Sequence, residues 1–124
     1  ERRWHATVAL LISMAGLLLL AFAQGAPLVT VAALTMIAAG AMAWLAVFWT
    51  LPTAFLSGTA AAGGIAWINA LSQLGGYVGP DMLGRIRESN GGNGTDAFLL
   101  MALAALIAAA LTYVLAGGPK KRRA

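Results

Sequence analysis

The sequence has 124 residues, of which 60% are hydrophobic and only 10% are charged. Soluble domains carry about 25% charged residues, so this chain has too few charges to cover a water-facing surface. A lipid bilayer is therefore its expected solvent. The chain has no Cys and a single His, so it lacks a disulfide framework and a thiolate metal site, and His5 alone cannot form a metal site.

Basic residues concentrate at the two ends of the chain, which has a net charge of +4. Nucleic-acid interfaces need a basic face with polar surroundings. Here the basic residues flank apolar stretches, so we expect membrane lipid and no nucleic acid as a partner. We find no nucleophile–base pair and no carboxylate pair, so we expect no catalytic residue, no cofactor and no enzymatic activity.

The first two apolar runs are predicted membrane spans at about 4–23 and 27–56. The first has no acidic residue, Lys or Arg, and its length matches the roughly 20 residues that cross the bilayer. A secretory signal is an alternative, with Arg2 and Arg3 before the apolar run and the AFA sequence as a cleavage site. Three further apolar runs favour a span. Pro27 suits the first turn of the second helix, and Pro52 disturbs its end.

The other two runs predict spans at about 59–87 and 96–116, followed by a basic tail at 117–124. The polar, Gly-rich segment ESNGGNGT separates them, and Thr95 or Asp96 is the predicted N-cap of the last helix. The fold class is therefore an all-α membrane protein with four transmembrane helices. Six basic residues lie at the two ends, so the positive-inside rule predicts that both ends are cytoplasmic.

The third span carries the most informative polar residues. Asn69 and Gln73 are four residues apart and so share one helical face. Amide groups deep in a bilayer need partners that lipid cannot supply. They either bind a polar solute or join helices, and spacing alone favours the second interpretation. Small residues and one proline in this span predict close helix packing: Gly63, Gly75, Gly76, Gly79 and Pro80.

An aromatic group ends the second span. Trp44, Phe48 and Trp49 form either a platform in a transport cavity or anchors at the membrane interface.

The stretch FWTLPTAFLSGTAAAGGIAWINALSQLGGYVGP, residues 48–80, resembles the major facilitator superfamily. More narrowly, it resembles the anion:cation symporter branch, which contains permeases for organic and sugar acids. In that branch an FWxLPTxFL segment ends the tenth helix and a GIAxINxxxxLGGxxGP segment forms the eleventh. The opening ERRWH is similar to the end of the basic loop before the ninth helix.

This resemblance implies that the chain supplies helices nine to twelve of a twelve-helix secondary transporter in the inner (plasma) membrane. Matching family positions imply that Trp49 and Asn69 contact a small organic anion, with Gln73 as a weaker candidate. Symport of a proton or cation is implied as well. The family's coupling acids and anion-binding basic residues lie mostly in the N-terminal half, so the missing N-terminal helices are expected partners.

Two other functions fit four apolar spans. One is a small autonomous transporter like the small multidrug resistance proteins, although those use a Glu in the first span that is absent here. The other is a structural subunit of a membrane complex. The first residue is Glu1 and not Met, so the chain looks processed or cut from something longer. Because the resemblance matches only helices nine to twelve, we interpret the chain as a C-terminal fragment.

Overall fold

The computed structural model describes residues 2–23, 25–50, 52 and 56–115. Four helices cover most of them: α1 (Arg2–Phe22), α2 (Pro27–Phe48), α3 (Gly58–Ser89) and α4 (Thr95–Leu115). These ranges contain no β-strand. The predicted all-α fold with four helices is therefore confirmed.

Three of the helices are long and apolar enough to cross a membrane: α1, α2 and α4. The exception is α3, whose glycines and polar side chains lower its hydropathy. With 32 residues, α3 is about 48 Å long, whereas the hydrocarbon core is about 30 Å thick. Its charged end, which includes Arg85 and Arg87, therefore extends past the hydrocarbon if α3 crosses the bilayer upright.

The turn from α1 to α2 uses the residues expected of a tight connection. Gly25 has a φ of 95°, a conformation that residues with a Cβ rarely adopt. Pro27 follows in the first turn of α2, where its missing N–H leaves no helical bond unmade. The second helix then ends at Phe48, earlier than the predicted limit of 56, and residues 51 and 53–55 lie outside the described part.

The centre of the fold is α1, which packs against both α2 and α4. At Gly16 a Cβ would lie 2.7 Å from the carbonyl oxygen of Ala33, and at Gly40 it would clash with the backbone of Ala9. Two glycines thus let the backbones of α1 and α2 approach closely. Most of the buried hydrophobic side chains belong to α1: Ala6, Ala9, Leu10, Leu17, Leu20 and Ala21.

At the periphery lies α3, which contacts α4 and has no buried residue. A Cβ added at Gly63, Gly75, Gly76 or Gly79 would meet no atom within 4 Å. These positions are therefore open within the described chain. The role of these glycines in helix packing stays a prediction, and it refers to helices that do not belong to the described chain.

The N-cap of α4, at the end of the loop from α3, is not the residue that was predicted. Because Thr95 is already helical and the Phe98 amide bonds to the Gly94 carbonyl at 3.0 Å, Gly94 occupies the N-cap position. The Asn93 side-chain oxygen accepts a hydrogen bond from the Thr95 amide at 3.0 Å. The predicted cap at Thr95 or Asp96 is therefore wrong. A side-chain oxygen does accept a hydrogen bond from the first amide of α4, but it belongs to Asn93, which precedes the N-cap residue.

Candidate substrate-binding residues

Asn69 and Gln73 lie one helical turn apart on α3, and both are exposed. Asn69 is eleven residues after Gly58, so it lies about 16 Å along the helix, which would be near the middle of a bilayer about 30 Å thick if α3 crosses it upright. Within the part of the chain that the structure describes, neither amide side chain makes a hydrogen bond. Two amides of α3 are thus without a hydrogen-bond partner among the described residues.

Ser72, on the same helix, has a different environment. Its hydroxyl donates to the carbonyl oxygen of Ile68 at 2.8 Å, so its hydrogen-bonding need is met inside the helix. The amides of Asn69 and Gln73 make no such bond among the described residues, and inside a bilayer they would need hydrogen-bond partners. Lipid tails supply none, so these amides must face protein, water or a solute.

Trp49 follows directly after α2 and belongs to an aromatic cluster, which consists of Trp44, Phe48 and Trp49. The Trp44 and Phe48 rings stack with centroids 4.7 Å apart, and Trp49 meets Phe48 edge to face at 5.4 Å. The Trp44 indole N–H is buried without an acceptor among the described residues. The cluster is therefore a rigid aromatic surface at one end of α2.

The three predicted binding residues lie on different elements of the structure. Trp49 lies at the end of α2, whereas Asn69 and Gln73 lie on α3, which contacts mainly α4 among the described helices. A site that contains all three therefore needs further walls.

Two apolar grooves are present in the described part of the chain. A groove of about 370 Å³ between α3 and α4 is lined by the predicted packing residues Gly75, Gly76, Gly79 and Pro80. The α1–α2 groove, of about 660 Å³, is lined by Trp4, His5, Val8 and Ile12 of α1 and by Ala43 and Val47 of α2, among others. Neither groove is lined by Trp49, Asn69 or Gln73. No sequence pattern predicted the α1–α2 groove.

Charged groups of the described region lie outside the apolar cores of the helices. Asp81 and Arg85 form an exposed ion pair at 2.9 Å near the end of α3. No group of three or more His, Cys, Asp or Glu that could hold a metal ion occurs among the described residues.

Comparison with known proteins gives matches to membrane transporters. The chain is 44% identical over 123 residues to an Agrobacterium vitis protein named as a tartrate transporter, covering 98% of this chain and 26% of that protein. It is 42% identical over 88 residues to the quinolone resistance transporter of Acinetobacter baumannii, covering 71% of this chain and 20% of the relative. It is 40% identical over 85 residues to the inner membrane transport protein RhmT of Escherichia coli K12, covering 64% and 18%.

No protein-family model matches the chain, and no solved structure does. The chain is nevertheless homologous to membrane transporters, and it spans about a quarter of the length of the tartrate-transporter relatives. The matches that cover nearly all of the chain are to the two proteins named for tartrate. These matches confirm the resemblance predicted from the sequence, since they are consistent with a segment of a transporter of the major facilitator type. The relatives are named as transporters and not as enzymes.

Proposed function

We propose that the chain is the C-terminal part, helices nine to twelve, of a secondary active transporter in the anion:cation symporter branch of the major facilitator superfamily. The observation that carries this proposal is the 44% identity to a tartrate-named transporter along 98% of the chain. Tartrate is a small dicarboxylate with hydroxyl groups. The proposed cargo is a small organic anion such as a carboxylate or sugar acid, moved together with a proton or cation.

The proposed binding residues have chemistry that suits such a cargo. The amides of Asn69 and Gln73 offer N–H donors to carboxylate oxygens and carbonyl acceptors to hydroxyl groups. Both lack hydrogen-bond partners among the described residues, so in the complete protein these amides are available to a solute or to other helices. Trp49 adds an aromatic face and an indole N–H donor. The rest of the longer protein supplies the opposite wall of the cavity and the charged groups.

The proposed mechanism is alternating access about a site near the midplane. In secondary transporters with internal repeats, one bundle rocks against the other around a fixed site. The proposed topology is multi-pass in the inner (plasma) membrane with both ends cytoplasmic, because six basic residues flank the first and last spans. The opening of α1 and the end of α2 then lie on the cytoplasmic side.

The test is uptake of labelled tartrate by vesicles that contain the complete protein. Asn69→Ala removes both a donor and an acceptor of the cargo, so uptake should fall by about tenfold or more, the effect of losing one or two hydrogen bonds to a charged group. Ser72→Ala is the matched control, because the Ser72 hydroxyl already donates to Ile68, and it should transport normally. The amount of protein in the membrane should be equal in both variants.

Three results would contradict the proposal. Wild-type uptake by the Asn69→Ala variant would assign this amide to helix packing. Uptake by the 124-residue chain alone would instead support a small autonomous transporter. Normal insertion with no uptake of any carboxylate by the complete wild-type protein would favour a structural subunit.

A further inference from the structure

The α1–α2 groove lies toward the end of the fold where α1 begins, since its α1 lining runs from Trp4 to Ile12. We call its end at Trp4 and His5 the mouth. Eight residues separate Trp4 from Ile12, which is about 12 Å along the helix. The groove is therefore no deeper than one leaflet of a bilayer whose hydrocarbon core is about 30 Å thick.

Below its mouth the groove is aliphatic. Val8 and Ile12 are 48% and 41% exposed, and they face Ala43 and Val47 across the groove. Ala43 is exposed and small, so it leaves room for a chain of methylene groups beside α1. A space with these walls has no polar group to bind a hydrophilic solute, and it suits hydrocarbon.

The mouth of the groove has an interfacial character. The Trp4 ring meets the Tyr113 ring edge to face, with centroids 5.3 Å apart, so the end of α4 lies beside the start of α1. Trp and Tyr are typical of the level of the lipid headgroups. Arg2 and Arg3 belong to the first turn of α1, and four further basic residues follow α4 in the sequence at 120–123. The sequence is thus strongly basic just before the apolar part of α1 and again after α4.

We propose that the α1–α2 groove binds an anionic phospholipid of the same leaflet, with an acyl chain along Val8 and Ile12 and the phosphate level with Arg2 and Arg3. Basic sites between membrane helices on the cytoplasmic side bind anionic headgroups. A further membrane helix would need a seam through both leaflets, whereas this groove occupies one. The proposal is independent of which solute the protein transports.

The first test uses the complete wild-type protein in vesicles that contain phosphatidylglycerol with a photoactivatable group on its acyl chain. Illumination followed by peptide mapping should place the cross-links in residues 4–12 and 39–47 in preference to other membrane segments. Photoactivatable phosphatidylcholine should give weaker labelling of the same peptides, by about fivefold for each arginine that attracts the anionic headgroup. Uniform labelling of all lipid-facing segments would overturn the proposal.

The second test counts the lipids that stay bound in native mass spectrometry. Ala43→Leu fills the groove, and bound phosphatidylglycerol should fall roughly tenfold, the effect of losing about two buried methylene groups. Ala46→Leu is the matched control, because Ala46 is also exposed on α2 but does not line the groove. Arg2→Gln with Arg3→Gln should abolish the preference for phosphatidylglycerol while leaving phosphatidylcholine binding unchanged.

Three outcomes of the second experiment would overturn the proposal: lipid retention by Ala43→Leu equal to that of Ala46→Leu, an unchanged lipid preference in the arginine variant, or conversion of a wild-type dimer to a monomer by Ala43→Leu. The last would show that a second copy of the chain fills the groove. If Ala43→Leu does not fold, the wild-type cross-linking map decides alone.

Discussion

Ser13 of α1 donates a hydrogen bond from its hydroxyl to the carbonyl oxygen of Ile37 in α2, at a distance of 3.1 Å. Ser13 is 6% exposed, so this contact lies inside the interface between the two helices. Such interhelical bonds contribute about 0.6 kcal/mol on average in membrane proteins. The bond fixes the relative register of α1 and α2 at the point where Gly16 and Gly40 bring their backbones together.

Removal of this hydroxyl should weaken the α1–α2 interface modestly. We expect Ser13→Ala to lower the free energy of unfolding by about 0.6–1.7 kcal/mol. Reversible unfolding in mixed detergent measures this change. Thr35→Ala is the control, since Thr35 is exposed and its hydroxyl donates to Val31 in its own helix at 2.8 Å. Equal effects of the two substitutions would show that the Ser13–Ile37 bond adds nothing.

Alanine should have opposite effects at two helical glycines. At Gly63 a Cβ meets no atom within 4 Å, so Gly63→Ala should stabilise the helix by up to about 1 kcal/mol in the isolated chain. At Gly40 the same Cβ clashes with the backbone of Ala9. Gly40→Ala should therefore destabilise by about 1–3 kcal/mol through overpacking. Thermal unfolding of both variants checks the signs, and a stabilised Gly40→Ala variant would contradict the close approach.

Substitution of Gly76 should affect the stability of the complete protein differently from that of the 124-residue chain. No atom lies within 4 Å of a Cβ at Gly76, so Gly76→Leu should be tolerated by the 124-residue chain. In the complete protein, the predicted packing of α3 on other helices should make it destabilising by about 1–3 kcal/mol. Thermal transitions of both forms in detergent test this. Equal transitions of wild type and variant in the complete protein would refute the packing role of Gly76.

Thr95 should couple the start of α4 to the end of α1. Its hydroxyl lies 3.1 Å from the carbonyl oxygen of Ala21 and 2.8 Å from the side-chain oxygen of Asn93. Thr95→Val keeps the shape but removes the donor, and we expect a loss of about 0.5–1.5 kcal/mol. Thr95→Ser should restore the stability, which unfolding in detergent can measure. A Thr95→Val variant as stable as wild type would show that the two helices do not need this contact.

Helices α1, α2 and α4 could be predicted from sequence because an apolar run of about 20 residues has few alternatives in a bilayer. The principal helix contact was missed. Close packing was predicted for α3, whereas in the described chain the close approach involves Gly16 and Gly40. A signal was present: Ala9, Ser13 and Gly16 recur at spacings of four and three, which places three small residues on one face of α1.

The sequence could predict which residues belong to the candidate site, but not how they are arranged in a cavity. The spacing of Asn69 and Gln73 places both on one face of a helix, and α3 is helical at both positions. A spacing cannot show which other helices complete a cavity, because those contacts come from parts of a protein far apart in sequence. For this reason the sequence could not predict how Trp49 and the two amides on α3 are arranged relative to one another.

The contact between Thr95 and Ala21 joins residues 74 positions apart, and this separation has a consequence for biosynthesis. At about 5–20 residues per second, a ribosome takes about 4–15 s to make the intervening chain. During that interval α2 is the helix of the described fold that α1 can pack against. The close approach of α1 and α2 at Gly16 and Gly40 can therefore form before α4 is made and packs on α1.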